Sequence, residues 1–510
     1  MEDLIYYAWL IGFLVLAALT VYLKDDKKKV VIQVLLVYAT AFVLLQAYRG
    51  IISRANANLA YTRADRAELY LKMSSGYIAL ESYMPSMPSL KEKMESPKEQ
   101  FYQEAEELLG EAVESAPKST TLLTKQIILF GDQGKSVKQP LKQLRAVDGE
   151  RKEKAQELAR LLEAVYVTKK VKSSDYDALR KIAEKDVSAG WYREIVTMQL
   201  VKNAGKTKQF KEMHADFHER YMYYMVRLGV FGIAAVLCAL VGAIIIFIQL
   251  FFLPRKPTDD NGLKLIRAPS NWSGKTVYGV FIGWLSIEFL LSVPLKSISS
   301  QMANIASEHG VIAIALLTAG LYLFQNLPSI LLIWILAIRP NQLPFFESLK
   351  LRLKVENRGI FKLVTAGILT WYACIPLVVL AVYISTKLGS QGSDNPIVAV
   401  VMAAAKEANP LGIVLFIFAL GVLPGIIEEL LFRGFLYTSL RRKFSIFPSL
   451  VISAAVFSVI HLDLGGALQL FCLGFLFAFI LEKTRSLVPS MVAHCLWNSC
   501  TFIMALVAYG

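Results

Sequence analysis

Apolar runs close to 20 residues long recur along most of the chain, at about 4–23, 30–47, 222–252, 276–295, 311–338, 360–385, 411–432, 447–464, 466–482 and 487–509. A helix of that length crosses a hydrocarbon core about 30 Å thick, so the pattern predicts about ten transmembrane helices. Between the second and third runs lies a long polar stretch, 50–220, whose apolar positions follow the helical repeat near 97–115, 119–131, 148–169, 174–186 and 190–220. The expected fold class is therefore all-α: a polytopic membrane protein with an inserted α-helical extramembrane domain. The chain divides into two N-terminal spans (1–49), the helical domain (50–220), further spans and loops (221–355) and a C-terminal core (356–510).

Composition agrees. Hydrophobic residues make up 55% of the 510 residues and the mean hydropathy is +0.46, far above the soluble average. The net charge of +14 would suit nucleic acid, but many of the basic residues sit in short loops between apolar runs and no nucleic-acid motif is present, so no nucleic-acid partner is expected. Those loops set orientation. Lys24 and Lys27 to Lys29, Arg255 to Lys275, Arg339 to Arg358, Arg441 to Lys443, and Lys483 with Arg485 alternate with loops poor in Lys and Arg, which places the basic loops in the cytoplasm and 50–220 outside it. The first run follows the acidic Glu2 and Asp3 and has no A-x-A site before Lys24, so it reads as a retained helix rather than a signal peptide.

The polar stretch has no cysteine; Cys238, Cys374, Cys472, Cys495 and Cys500 all fall in predicted spans, which excludes a disulfide framework outside the membrane. Ala105, Leu109, Ala112 and Pro117, followed by Leu123 and Phe130, match tetratricopeptide (TPR) spacing, although any packed helix pair shares this pattern. Either arrangement offers a surface for a protein partner. His214 and His218, one turn apart, could bind a metal, but such a pair is far more often simply a solvated helix face.

The chemistry concentrates near the C-terminus. GIIEELLFRGFLY, from Gly425 to Tyr437, carries charge inside an apolar run. An ionised group at bilayer depth costs roughly 2.5–3.5 kcal/mol, so it is expected to be paired, to line a cavity or to do chemistry. Glu429 and Arg433 are i and i+4, which pairs them; Glu428 lies about 100° round the helix and is left to face a cavity. His461 follows Phe457 by one turn, and His494 and Asn498 share a helix face. Counting from the flanking basic residues puts Glu428 roughly 20 Å, His461 about 27 Å, His494 about 14 Å and Asn498 about 20 Å from the cytoplasmic edge, all near mid-bilayer. Gly421 and Gly425 allow another helix to approach this one closely.

E-E-x-x-x-R at 428–433, F-x-x-x-H at 457–461 and H-x-x-x-N at 494–498, in that order, resemble the CAAX protease and bacteriocin-processing (CPBP, or Abi) family of intramembrane endopeptidases over roughly 360–510. The resemblance implies that Glu428 and His461 hold and activate a water, that His494 and Asn498 stabilise the oxyanion, and that Glu429 and Arg433 fix the helix. It implies as substrate a membrane-associated protein or peptide, of the CAAX type or of the leader and pheromone type. Glu428, His461 and His494 could ligate Zn²⁺, but H-E-x-x-H is absent and the residues leave a catalytic metal open. Two non-enzymatic readings stand beside this one. A transporter calls for an internal repeat of spans, which is not found around residue 255. A catalytically inert membrane sensor or scaffold would bind a partner through its outer helices. The compact loops suggest a bacterial cell membrane.

Overall fold

The computed structural model describes residues 25–83, 97–251, 272–300, 302–388, 390 and 409–509, together with part of 9–19. Among the described residues the regular elements are helices, with one isolated bridge between Val355 and Arg358. The protein is an all-α polytopic membrane protein. Among the described residues eight helices are long and apolar enough to cross a bilayer: Val30–Tyr48, Thr207–Gln249, Gly274–Leu291, Gly310–Asn341, Ile360–Lys387, Pro410–Leu440, Ala467–Thr484 and Val488–Ala508.

Two of the expected runs are not in this set, for different reasons. The run 4–23 falls largely outside the described residues. The run 447–464 forms only a 15-residue helix, Ile446–Ile460, about 22 Å long and short of the hydrocarbon thickness. It stops because the chain turns: Leu462 adopts a left-handed conformation (φ 51°), and the Asp463 carboxylate accepts the Gly466 N–H at 3.0 Å to start the next helix. Leu462 and Leu464 are apolar, so hydropathy runs straight through a turn made by backbone conformation.

The chain forms two compact units, 52–233 and 1–51 with 234–510. In the first, α1 (Asp25–Tyr83) contributes residues 52–83, and α2 (Pro97–Ser115), α3 (Thr120–Asp132), α4 (Lys138–Arg145), α5 (Lys152–Leu162), α6 (Ser173–Asp186) and α7 (Trp191–Asn203) follow, each from α2 onward packing on the next. The core joins Ala105, Leu109, Leu122, Leu123, Leu158, Trp191 and Leu200. Ala60, Ala64, Ala67 and Leu71 of α1 lie in the same core, although small residues give this segment little apolar signal. Buried Lys125 stands 3.4 Å from both Asp65 and Glu68, while Glu68 also accepts the Trp191 N–H. The expected helix 190–220 is broken at Gly205 (φ 72°), after which α8 (Thr207–Phe251) runs on as one helix into the third predicted span. The short α4 escapes the apolar pattern because only Pro140, Leu141 and Leu144 of its eight residues are buried.

The second unit holds α9 (Gly274–Ser300), α10 (Met302–Ile333), α11 (Ile360–Lys387), α12 (Pro410–Leu440), α13 (Ile446–Ile460), α14 (Ala467–Thr484) and α15 (Val488–Tyr509). The loop between α10 and α11 docks on the start of α15, where the Lys350 carbonyl accepts the Leu487 N–H at 2.9 Å. Lys350 is only 4% exposed, and its ammonium makes no hydrogen bond or ion pair among the described residues. Burial pushes this amine down to about 8. The unfolded chain, with an ordinary lysine pKa near 10.4, therefore binds this proton more tightly, and the resulting penalty on folding fades as pH rises from about 8 to about 10.4. Lys350→Met should raise the melting temperature at pH 7, by an amount equivalent to at most about 3 kcal/mol, and the gain should vanish near pH 10.5. A variant that melts below the wild type at pH 7 would overturn this account.

Candidate active site

Three helices of the second unit build the site, and α12 carries its centre. Asn409 caps α12 by accepting the N–H groups of Leu411 and Gly412. The helix then widens into π-helical turns at Ile417–Val422 and Leu430–Tyr437, on either side of the α-helical stretch Leu423–Glu429. Pro424 has no N–H to donate back along the helix, which favours the first wide turn. Glu428 and Glu429 end the α-helical stretch.

Glu429 and Arg433 are both fully buried and paired at 2.7 Å. The guanidinium also donates to the Gly474 carbonyl at 3.3 Å and lies over the rings of Phe457, at 4.3 Å, and Phe477, at 5.2 Å. Ring faces and a carbonyl replace part of the hydration that burial removes from this cation. The same Glu429 oxygen that binds Arg433 also faces His494 Nδ1 at 2.9 Å. Glu429 therefore has a second partner, across to α15, that the motif did not reveal.

His494 is 4% exposed and stacked on Phe477, with ring centroids 5.0 Å apart. With Nδ1 held by Glu429, its Nε2 points at Glu428, 3.8 Å from Oε2. His461, just beyond the end of α13, donates from Nδ1 to the Phe457 carbonyl at 2.6 Å, since a carbonyl can only accept. Its Nε2 stands 3.9 Å from the same Glu428 oxygen. Each imidazole is thus fixed at one nitrogen and turned toward Glu428 with the other. Glu428 itself keeps 17% of its side chain exposed.

Glycine permits the close packing. A Cβ on Gly425 would lie 2.8 Å from the Cys495 backbone nitrogen, and one on Gly421 would meet the Ser499 hydroxyl, so α15 runs directly against α12. Asn498, one turn beyond His494, is half-buried and makes no hydrogen bond among the described residues. Linear counting separated His461 from His494 by about 13 Å of depth, yet both reach one carboxylate oxygen. The count assumed upright, regular helices; α13 is short and α12 is widened by π turns. Sequence reasoning also missed Tyr322 on α10, whose hydroxyl donates to Glu428 Oε1 at 3.2 Å. A lone tyrosine in an apolar run carries no signal that could have singled it out.

Residues 410–500, which contain this cluster, match the family described as Rce1-like, the Type II CAAX prenyl endopeptidases. This segment is Rce1-like. A curated Bacillus subtilis (strain 168) protein named "Putative membrane peptidase YdiL" is 32% identical over 92 residues, which is 18% of this chain and 38% of that protein's length. No solved structure matches the chain. The Rce1-like segment supplies Glu428, Glu429, Arg433, His461, His494 and Asn498, whereas Tyr322 and the helical unit 52–233 lie outside it.

The donor types at Glu428, His461 and His494 suit zinc, and the two imidazoles stand 3.9 and 3.8 Å from the Glu428 carboxylate. Tetrahedral ligands at about 2.0–2.2 Å from a metal stand roughly 3.3–3.6 Å apart, a few tenths of an ångström closer than the 3.8 and 3.9 Å here. Among the described residues no three His, Cys, Asp or Glu side chains are grouped closely enough to hold a metal ion. A hydrogen-bonded water, at about 2.8 Å from each acceptor, spans these separations.

Proposed function

We propose that the protein is an intramembrane endopeptidase that hydrolyses a peptide bond in a membrane-associated protein or peptide, of the CAAX type or of the leader and pheromone type. One observation carries the reading: two imidazole nitrogens from different helices converge on a single carboxylate oxygen within a membrane-spanning bundle. A water between Glu428 and His461 Nε2 donates one hydrogen to each, which leaves its lone pair for a substrate carbonyl. Glu428 takes a proton as the water attacks and returns it to the leaving amine. His494, engaged at Nδ1 by Glu429, has Nε2 turned toward this space, and the scheme assigns its Nε2–H and the Asn498 amide to the oxyanion as donors. Residues alone activate the water in this scheme.

Comparing membrane-associated peptides from cells carrying the wild type and Glu428→Ala tests the reading. A precursor should accumulate in the variant and its product should disappear; identical peptide sets would refute proteolysis.

The distribution of Lys and Arg among the loops supports an orientation with 50–220 outside the cytoplasm. Gln103 is exposed on α2. A cysteine there, in an otherwise thiol-free variant, should react with a membrane-impermeant reagent on intact cells. Labelling only after permeabilisation would invert the topology.

A further inference from the structure

The two oxygens of the Glu428 carboxylate have different surroundings. Oε2 faces the two imidazoles, and Oε1 accepts a hydrogen bond from Tyr322 Oη, the one described group within hydrogen-bond reach of this side chain. The terminal torsion of a glutamate has a broad, roughly two-fold profile, so a carboxylate without an anchor would rotate and exchange its oxygens. The phenol removes that freedom. With Oε1 engaged, the other oxygen is the one presented to His461 and His494.

The backbone of α10 supports this placement. Pro328 lies inside the helix and lacks an N–H, which would loosen the turn it follows. Side chains tie that region together: Asn326 Nδ2 donates to the Tyr322 carbonyl at 3.1 Å, and the buried Ser329 hydroxyl donates to the Asn326 carbonyl at 2.7 Å. Tyr322 thus sits on a reinforced turn of a helix that packs against α12. It lies outside residues 410–500, so the site is completed by a part of the chain beyond its Rce1-like segment.

We propose that Tyr322 is a positioning residue of the active site, orienting Glu428 so that Oε2 faces the water shared with His461. The inference rests on the reading of Glu428 as the general base. A tyrosine that merely joins two helices would affect stability in any background; one that orients a base would affect turnover, and only while that base is within its reach.

Purified protein and a membrane-soluble peptide reporter test the difference. Tyr322→Phe keeps the ring and removes the donor. It should lower kcat about tenfold to a hundredfold, with KM and melting temperature near wild type, as expected for a lost hydrogen bond to a charged group. Glu428→Asp withdraws the carboxylate by about 1.5 Å, out of the phenol's reach, so adding Tyr322→Phe there should change kcat by less than about twofold. Placing 3-fluorotyrosine at 322, which restores the hydroxyl, should recover kcat. Wild-type turnover by Tyr322→Phe, or an equal loss in both backgrounds, would overturn the proposal and leave Glu428 as the base. If Tyr322→Phe fails to fold, the fluorotyrosine protein decides, because recovered folding without recovered kcat also overturns it. Wild-type protein without cleavage dependent on Glu428 would overturn both this inference and the proposed function.

Discussion

Glu428→Gln should leave the protein folded and slow hydrolysis about 10²- to 10⁴-fold, the range expected when a general base is removed. Glutamine keeps the shape and can still accept from the Tyr322 hydroxyl through its amide oxygen. It cannot take a proton from water. Glu428 is 17% exposed and forms no ion pair with Lys or Arg among the described residues, whereas Arg433 keeps its own partner in Glu429. Expression and melting temperature should therefore stay near wild type while kcat falls. The same assay run with a chelator should retain turnover, because the proposed scheme activates the water with residues alone. Activity lost to chelation and regained with zinc would assign the water to a metal. A fully active Glu428→Gln would remove the base from the mechanism.

Glu429→Gln should do the opposite first. Arg433 is fully buried, and its only carboxylate partner among the described residues is Glu429. Removing one member of a buried ion pair costs about 3–5 kcal/mol, because the other charge is left in a low-dielectric interior. Folded yield and melting temperature should drop. Turnover per folded molecule should drop as well, since His494 Nδ1 loses the carboxylate that holds the ring in place. The two effects can be separated. Glu429→Met combined with Arg433→Met removes both charges, and a methionine at 433 fits among Phe432, Phe457 and Phe477. The double variant should recover much of the yield yet remain slow. If it recovered turnover together with yield, Glu429 would serve the helix alone and His494 would not depend on it.

These two glutamates mark how far the linear chain could be read. The Glu429–Arg433 pair follows from i, i+4 spacing on one helix, and the shared face of His494 and Asn498 follows from the same rule. The all-α class and most of the spans follow from runs of apolar residues, because a helix is the local way to satisfy backbone polar groups in lipid. The three motifs also named Glu428, His461 and His494, which the bundle brings together.

What the sequence by itself determined was therefore relations within single helices: which segments are helical and apolar, and which charged residues share a face. The tertiary structure alone decided relations between helices. It brought His461 and His494 to one oxygen of Glu428, gave Glu429 its second partner across to α15, ended α13 at a turn hidden among leucines, and supplied Tyr322 from a helix with no motif. The physical reason is that every neighbour in a bilayer is apolar, lipid and protein alike. Hydropathy marks a span without saying what it touches, and the approach of two helices depends on π turns, helix ends and glycine contacts that only packing resolves.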